Sequence, residues 1–197
     1  RPPRSTLFPY TTLFRSEQNF DQDPDLKVLI LTGTGERAFC TGMDLKAAAA
    51  RIAEGGPVSN VVPPYMKTDK ITIAAVNGYA VAGGLERSLA CDIRIASENA
   101  QFGCFEIRRG LPNPPDPLIR LIGFGPALHM LLSGDLFDAQ EALRFGLVTK
   151  VVPPPELMST VEALAQRIAE HPIDVLRATK KAADRKSTRL NSSHTSI

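Results

Sequence analysis

Apolar residues along this chain fall into short blocks separated by glycine and proline. Leu26–Thr32 (LKVLILT) is a nearly continuous apolar run, ended by Gly33 and Gly35. A run without strict alternation, closed by glycines, predicts a strand buried on both faces. Ile71–Val76 (ITIAAV), closed by Asn77-Gly78, predicts a second, Asp92–Ala96 (DIRIA) a third and Leu147–Val152 a fourth. Between them the pattern becomes helical. Helices are expected from Asp44 to about Ala53, from Gly83-Gly84 to about Cys91, over Gly125–Leu132, over Ala139–Phe145, over Glu156–Glu170 and over Ile173–Arg185. The Glu156 helix carries Leu157, Val161, Leu164, Ala165 and Ile168, an i, i+3, i+4, i+7 stripe that faces a core. Beyond Gly110, Pro112, Pro114, Pro115 and Pro117 predict a loop. Strands alternating with helices imply an α/β fold with parallel pairing and crossover helices.

The two ends differ from this pattern. Residues 1–16 hold three Arg and three Pro without an acid, and residues 186–197 are half Ser and Thr. Neither shows a usable period. Pro2, Pro3 and Pro9 oppose the amphipathic helix of a transit peptide. Both are read as non-native flanks around a domain at 17–185.

Composition narrows the function classes. At 197 residues, 43% hydrophobic and 22% charged, the chain is of globular type and the length of one domain to one and a half. Lys and Arg total 23 against 21 Asp and Glu, a net charge of +2, so no basic excess argues for nucleic acid. The longest uncharged stretch, Ile71 to Leu85, falls short of the ~20 residues of a membrane span. Cys40, Cys91 and Cys104 lack the spacing of a disulfide framework or zinc site. Three unpaired thiols suit a reducing compartment, and a cytoplasmic location is expected.

Three segments carry candidate chemistry. Ala38–Lys46 (AFCTGMDLK) is a turn after a buried strand that enters a helix, where the Met43 amide is a candidate free donor. Asn77–Glu86 (NGYAVAGGLE) ends on two glycines that let backbone approach a ligand and open the next helix. Ala100–Leu111 (AQFGCFEIRRGL) sets Glu106 in an apolar stretch. Taken singly, each has an ordinary structural explanation: turn glycines, a core methionine, an acid in a helix's first turn.

In order along the chain, these segments resemble the enoyl-CoA hydratase/isomerase (crotonase) superfamily. The stretches LILTGTGERAFCTGMDL, AAVNGYAVAGGLERSLACDIRIASENAQFG, FEIRRGL and LLSGDLFDAQEALRFGLVTKVVP carry the likeness, which covers about residues 22–185. The resemblance implies an α/β fold, a spiral of ββα turns with C-terminal helices, here incomplete at both ends. It implies an acyl-CoA thioester as substrate, no metal or redox cofactor, no nucleic-acid or membrane partner, and trimers or hexamers for the full-length parent.

By motif position, the amides of Met43 and Gly83 would hold the thioester oxygen, and the turn Met43, Asp44, Leu45, Lys46 would cradle the CoA end. Glu86 and Glu106 match two acids that share a water across the C2–C3 bond of a trans-2-enoyl-CoA. Glu86 would activate the water and Glu106 deliver the proton. An isomerase or another acyl-CoA lyase is the alternative on the same scaffold; a non-catalytic RNA- or CoA-binding homologue, or an inactive fragment, is the alternative of another class. Two departures stand out. Arg87 occupies a position usually apolar, does not face Glu86, and is expected to disturb packing behind the helix. The run Pro112–Pro117 replaces a glycine-rich turn beside the water, with Asp116 read as a turn residue.

Overall fold

The computed structural model describes residues 17–42, 53, 68–113 and 115–192. The candidate flank 1–16, the end of the other flank (193–197), and the predicted helix from Asp44, apart from Ala53, lie outside the described residues.

The four apolar runs do form strands: β1 (Val28–Thr32), β3 (Ile71–Val76), β5 (Ile93–Ser97) and β8 (Lys150–Val152). They make one parallel sheet in the order β1-β3-β5-β8. A second sheet, β2-β4-β6-β7, uses strands too short to show a period: β2 (Ala38–Cys40), β4 (Tyr79–Val81), β6 (Gln101–Gly103) and β7 (Phe137–Asp138). β2, β4 and β6 run parallel, and β7 closes the edge antiparallel to β6. Chain order explains the architecture. Each coil lays one strand in each sheet (β1 then β2, β3 then β4, β5 then β6), so the chain advances as a spiral, and this α/β spiral is the fold the family likeness implies.

The sequence of β3 shows why its run is continuous. Ala74 and Val76 join a core with Ala80, Phe102 and Phe137 of the second sheet, while Ile73 and Ala75 point to the other side. There they meet helix α5 (Leu157–Ala169), whose Leu157, Val161 and Ala165 are buried and whose Leu164 and Ile168 pack alongside. The stripe read from sequence is this contact. Burying one such aliphatic side chain contributes about 1.5–3 kcal/mol. Lys27 Nζ donates to the Ala169 and His171 carbonyls at 2.7 and 3.1 Å and so caps the end of α5.

Further helices are α1 (Gly83–Leu89), α2 (Asp116–Ile122), α3 (Phe124–Ser133), α4 (Ala139–Phe145) and α6 (Ile173–Ser192), and residues 17–22 are helical as well. Three differences from the sequence reading have simple causes. The strand expected from Leu147 starts at Lys150, because the Leu147 and Val148 amides are spent on the Ala142 carbonyl at the end of α4. The proline-rich stretch is not loop throughout. Pro117 sits in the first turn of α2, where a missing N–H costs no helical bond. Finally, α6 continues past Arg185 to Ser192. No helix among the described residues is long and apolar enough to cross a membrane.

Candidate functional site

The site forms where the connections after β2, β4 and β6 meet. Asn77 fixes the first of these. Its Nδ2 donates to the Gly33 and Gly35 carbonyls (3.0 and 2.6 Å) and its Oδ1 accepts from the Gly33 amide (3.0 Å). That ties the β1–β2 turn to the end of β3. The chain then runs through β2 to Gly42, which lies against α1: a Cβ placed on Gly42 would stand 3.1 Å from the Gly83 nitrogen. The residue preceding Met43 is therefore in contact with the amide of Gly83.

The entry into α1 is strained. Ala82 holds φ 52°, the one non-glycine among the described residues with a positive φ. A residue in such a conformation costs about 1–3 kcal/mol and must be held in place. The Ala82 amide donates to the Gly103 carbonyl at 2.9 Å, and its own carbonyl accepts from the Leu85 and Glu86 amides. Gly83 then opens the helix, where first-turn N–H groups have no intrahelical acceptor.

Glu86 lies in the first turn of α1 and is half-buried. Glu106 follows β6 and starts a short 3-10 turn, Ile107–Arg109, its carbonyl accepting from the Arg109 and Leu111 amides. Glu106 is also half-buried, and its Oε2 is buried without a hydrogen-bond partner among the described residues. Burial raises its pKa above the ordinary carboxyl range. A hydrogen bond with its own backbone opposes this, the charge of Glu86 adds to it, and a hydrogen bond with the Asn113 side chain opposes it. Cys104 is fully buried, and its thiol is pushed up to about 12, by burial first and then by the charges of Glu106 and Glu86. The charges of two carboxylates delivered by different segments thus both reach one thiol, and that of Glu86 also reaches Glu106.

Of the predicted site residues, Gly83 and Glu86 share the first turn of α1, and the charge of Glu86 is felt at Glu106. Met43, Asp44, Leu45 and Lys46 lie outside the described residues. Asp116, read as a turn residue, is exposed in the first turn of α2. Arg87 corrects an expectation. It does not disturb the packing behind α1: its guanidinium is buried and forms an ion pair with Glu17. Asn113 was missed, hidden as the one amide in a run of prolines. Of the three thiols, Cys91 and Cys104 are buried and Cys40 is only half-buried.

Comparison with known proteins bears on this arrangement. The enoyl-CoA hydratase/isomerase family model matches residues 10–196. A relative, the (E)-benzylidenesuccinyl-CoA hydratase of Thauera aromatica, is 46% identical over 173 residues, covering 82% of this chain and 66% of that protein. The short-chain-enoyl-CoA hydratase of Clostridium acetobutylicum is 38% identical over 173 residues, covering 84% and 66%. The chain therefore spans just under two thirds of the length of these curated relatives. Among solved structures, the enoyl-CoA hydratase from Mycobacterium tuberculosis H37Rv superposes with a TM-score of 0.82 at 34% identity, covering 94% of this chain and 80% of that one.

Proposed function

This chain belongs to the enoyl-CoA hydratase/isomerase family, and from that premise we propose that it adds water to the double bond of a trans-2-enoyl-CoA. The influence of half-buried Glu86 on half-buried Glu106, and of both on Cys104, supports the reading. Hydration needs one group to take a proton from water as its oxygen bonds to C3, and another to give a proton to C2. Two acids, one acting as base and one held as proton donor, supply both. Glu86 takes the water proton. Glu106, its pKa raised, is the proton donor, and the orphan Oε2 suits it to hydrogen-bond a group from outside the protein. The C2–C3 π electrons move toward the thioester as the C3–O bond forms. The oxygen charge that develops falls to the amides of Gly83 and Met43. The proton from Glu106 then completes the product, leaving Glu86 protonated and Glu106 ionised until the pair exchanges protons with solvent.

The scheme requires no cofactor beyond the CoA of the substrate. The relative from Thauera aromatica is named for a CoA ester whose acyl part carries an aromatic ring and a second carboxylate. That makes (E)-benzylidenesuccinyl-CoA the natural second substrate to test beside crotonyl-CoA. Incubation with each, followed by loss of the conjugated thioester absorbance, tests the proposal. Loss of the absorbance with formation of the 3-hydroxyacyl-CoA supports it. Intact absorbance with a folded chain that binds CoA excludes hydration and leaves isomerisation on the same scaffold.

A further inference from the structure

Arg87 follows Glu86 in a two-turn helix and is 8% exposed. A guanidinium taken out of water is costly unless fully satisfied. Its partner is Glu17, seventy positions earlier in the chain and 3% exposed, through Nη1 and Oε1. The pair is incompletely satisfied, because Glu17 Oε2 is buried with no hydrogen-bond partner among the described residues. A buried ion pair with an orphan oxygen contributes little net stability compared with an apolar pair of the same size. Stability alone is a weak reason for it.

Geometry supplies a stronger one. Seven residues of helix do not hold their own orientation. Besides the core packing of Leu85 and the close approach of Cys40 to Gly84, two side-chain anchors from outside bear on α1. At its end, the buried Arg94 donates from Nη1 to the Ser88 and Cys91 carbonyls and from Nε to Leu147. On its flank, Glu17 holds Arg87. Consecutive helical residues are about 100° apart around the axis, so a fixed Arg87 fixes the direction of Glu86. Glu17 is itself on a braced segment. Lys70, 1% exposed, donates to the Phe20 carbonyl at 2.7 Å with its ammonium 4.9 Å from the Phe20 ring centre. Thr68 Oγ1 donates to Asp21 at 2.6 Å.

We infer that the buried Glu17–Arg87 ion pair is a positioning device that sets the rotation of α1 and thereby aims Glu86 at Glu106. Glu17 and Arg87 touch no reacting atom. The inference rests on the proposed two-acid reading and adds to it the groups that hold one acid in place. It also links the segment at 17–22 to α1.

The test replaces both partners, Glu17→Leu with Arg87→Met, so that no charge is left buried alone. Thermal stability is expected to hold or rise. The turnover number for crotonyl-CoA is expected to fall at least tenfold with KM within about twofold of the parent. Carbon-13 NMR titration of the Glu106 carboxyl gives a readout that does not need turnover. Glu86→Gln, the reference, lowers the Glu106 midpoint by removing a neighbouring charge, and the double variant lowers it by part of that amount. The inference is overturned if the double variant keeps the parent turnover number and Glu106 midpoint while Glu86→Gln shifts that midpoint. If Glu86→Gln leaves the midpoint unmoved, the two acids are not neighbours, and the catalytic reading falls together with this one. A parent chain that fails to hydrate any enoyl-CoA removes the hydratase reading alone, and the titration still decides whether the pair aims Glu86.

Discussion

The carbonyl oxygen of Cys40 stands where a side chain on residue 84 would begin: a Cβ on Gly84 would lie 1.8 Å from it. The end of β2 and the first turn of α1 are therefore in backbone contact, and the glycine is what permits it. Gly84→Ala is expected to cost about 1–3 kcal/mol or more as the two segments separate. Urea denaturation measures this directly. Because the same contact sets Gly42 against Gly83, acyl-CoA binding should weaken in parallel, as read by calorimetry.

Replacing Glu106 with Gln removes the proposed proton donor while keeping the shape. Turnover of crotonyl-CoA is expected to fall about 10²–10⁴-fold, the range for loss of one acid–base group. CoA affinity should be unchanged. Glu86→Gln should do the same, and the double variant should be scarcely worse than either, since the two act as a unit.

The raised Glu106 pKa has two pH consequences. As proton donor, Glu106 must be protonated, so kcat/KM is expected to decline as pH rises through its folded midpoint, which lies above the ordinary Glu range. For stability the sign follows from proton counting. Between the unfolded and the raised folded pKa the native state binds more protons, so stability falls as pH rises through that window. Glu106→Gln removes this loss. Its denaturation midpoint should match or exceed the parent's at neutral pH, and the difference should vanish below the unfolded Glu pKa.

Arg94 donates to three carbonyls from a buried position, and burial pulls its pKa below the usual guanidinium value. Arg94→Met leaves those carbonyls without their donor. At about 1–3 kcal/mol for each buried group left unsatisfied, a loss of at least ~3 kcal/mol is expected by thermal denaturation. Arg94→Lys, with one point donor in place of a fork, should recover only part of it.

The thiols should separate by reactivity. Burial pushes Cys91 to about 11 and Cys104 to about 12, both in the buried core. Iodoacetamide at mildly alkaline pH is expected to label half-buried Cys40 first and to reach the other two only after unfolding. Mass spectrometry of partial digests reads the order. Rapid native labelling of Cys104 would contradict its burial beside the two acids.

What the chain's pattern revealed depended on element length and contact distance. β3 was legible because a strand covered on both faces must be apolar throughout, and β1 because its run VLILT is nearly as continuous. The stripe on α5 was legible because Leu157, Val161 and Ala165 share one face. The second sheet was not, since strands of two or three residues such as Phe137–Asp138 are below any period. Glu86 and Glu106 became candidates only through the family likeness, because a lone acid in an apolar stretch has many uses. The Glu17 partner of Arg87 could not be read at all. It sits at the far end of the described chain, and nothing local marks a residue for a tertiary ion pair.

Ala82 has a last consequence. Its left-handed torsion stands one residue before the amide proposed to meet the thioester oxygen. The heading of that N–H is written into covalent geometry and the bond to Gly103, not into a side chain that thermal motion could swing aside. An arriving carbonyl would find the donor already turned toward it. The torsional cost would then have been met when the chain folded, leaving none to be met at each turnover.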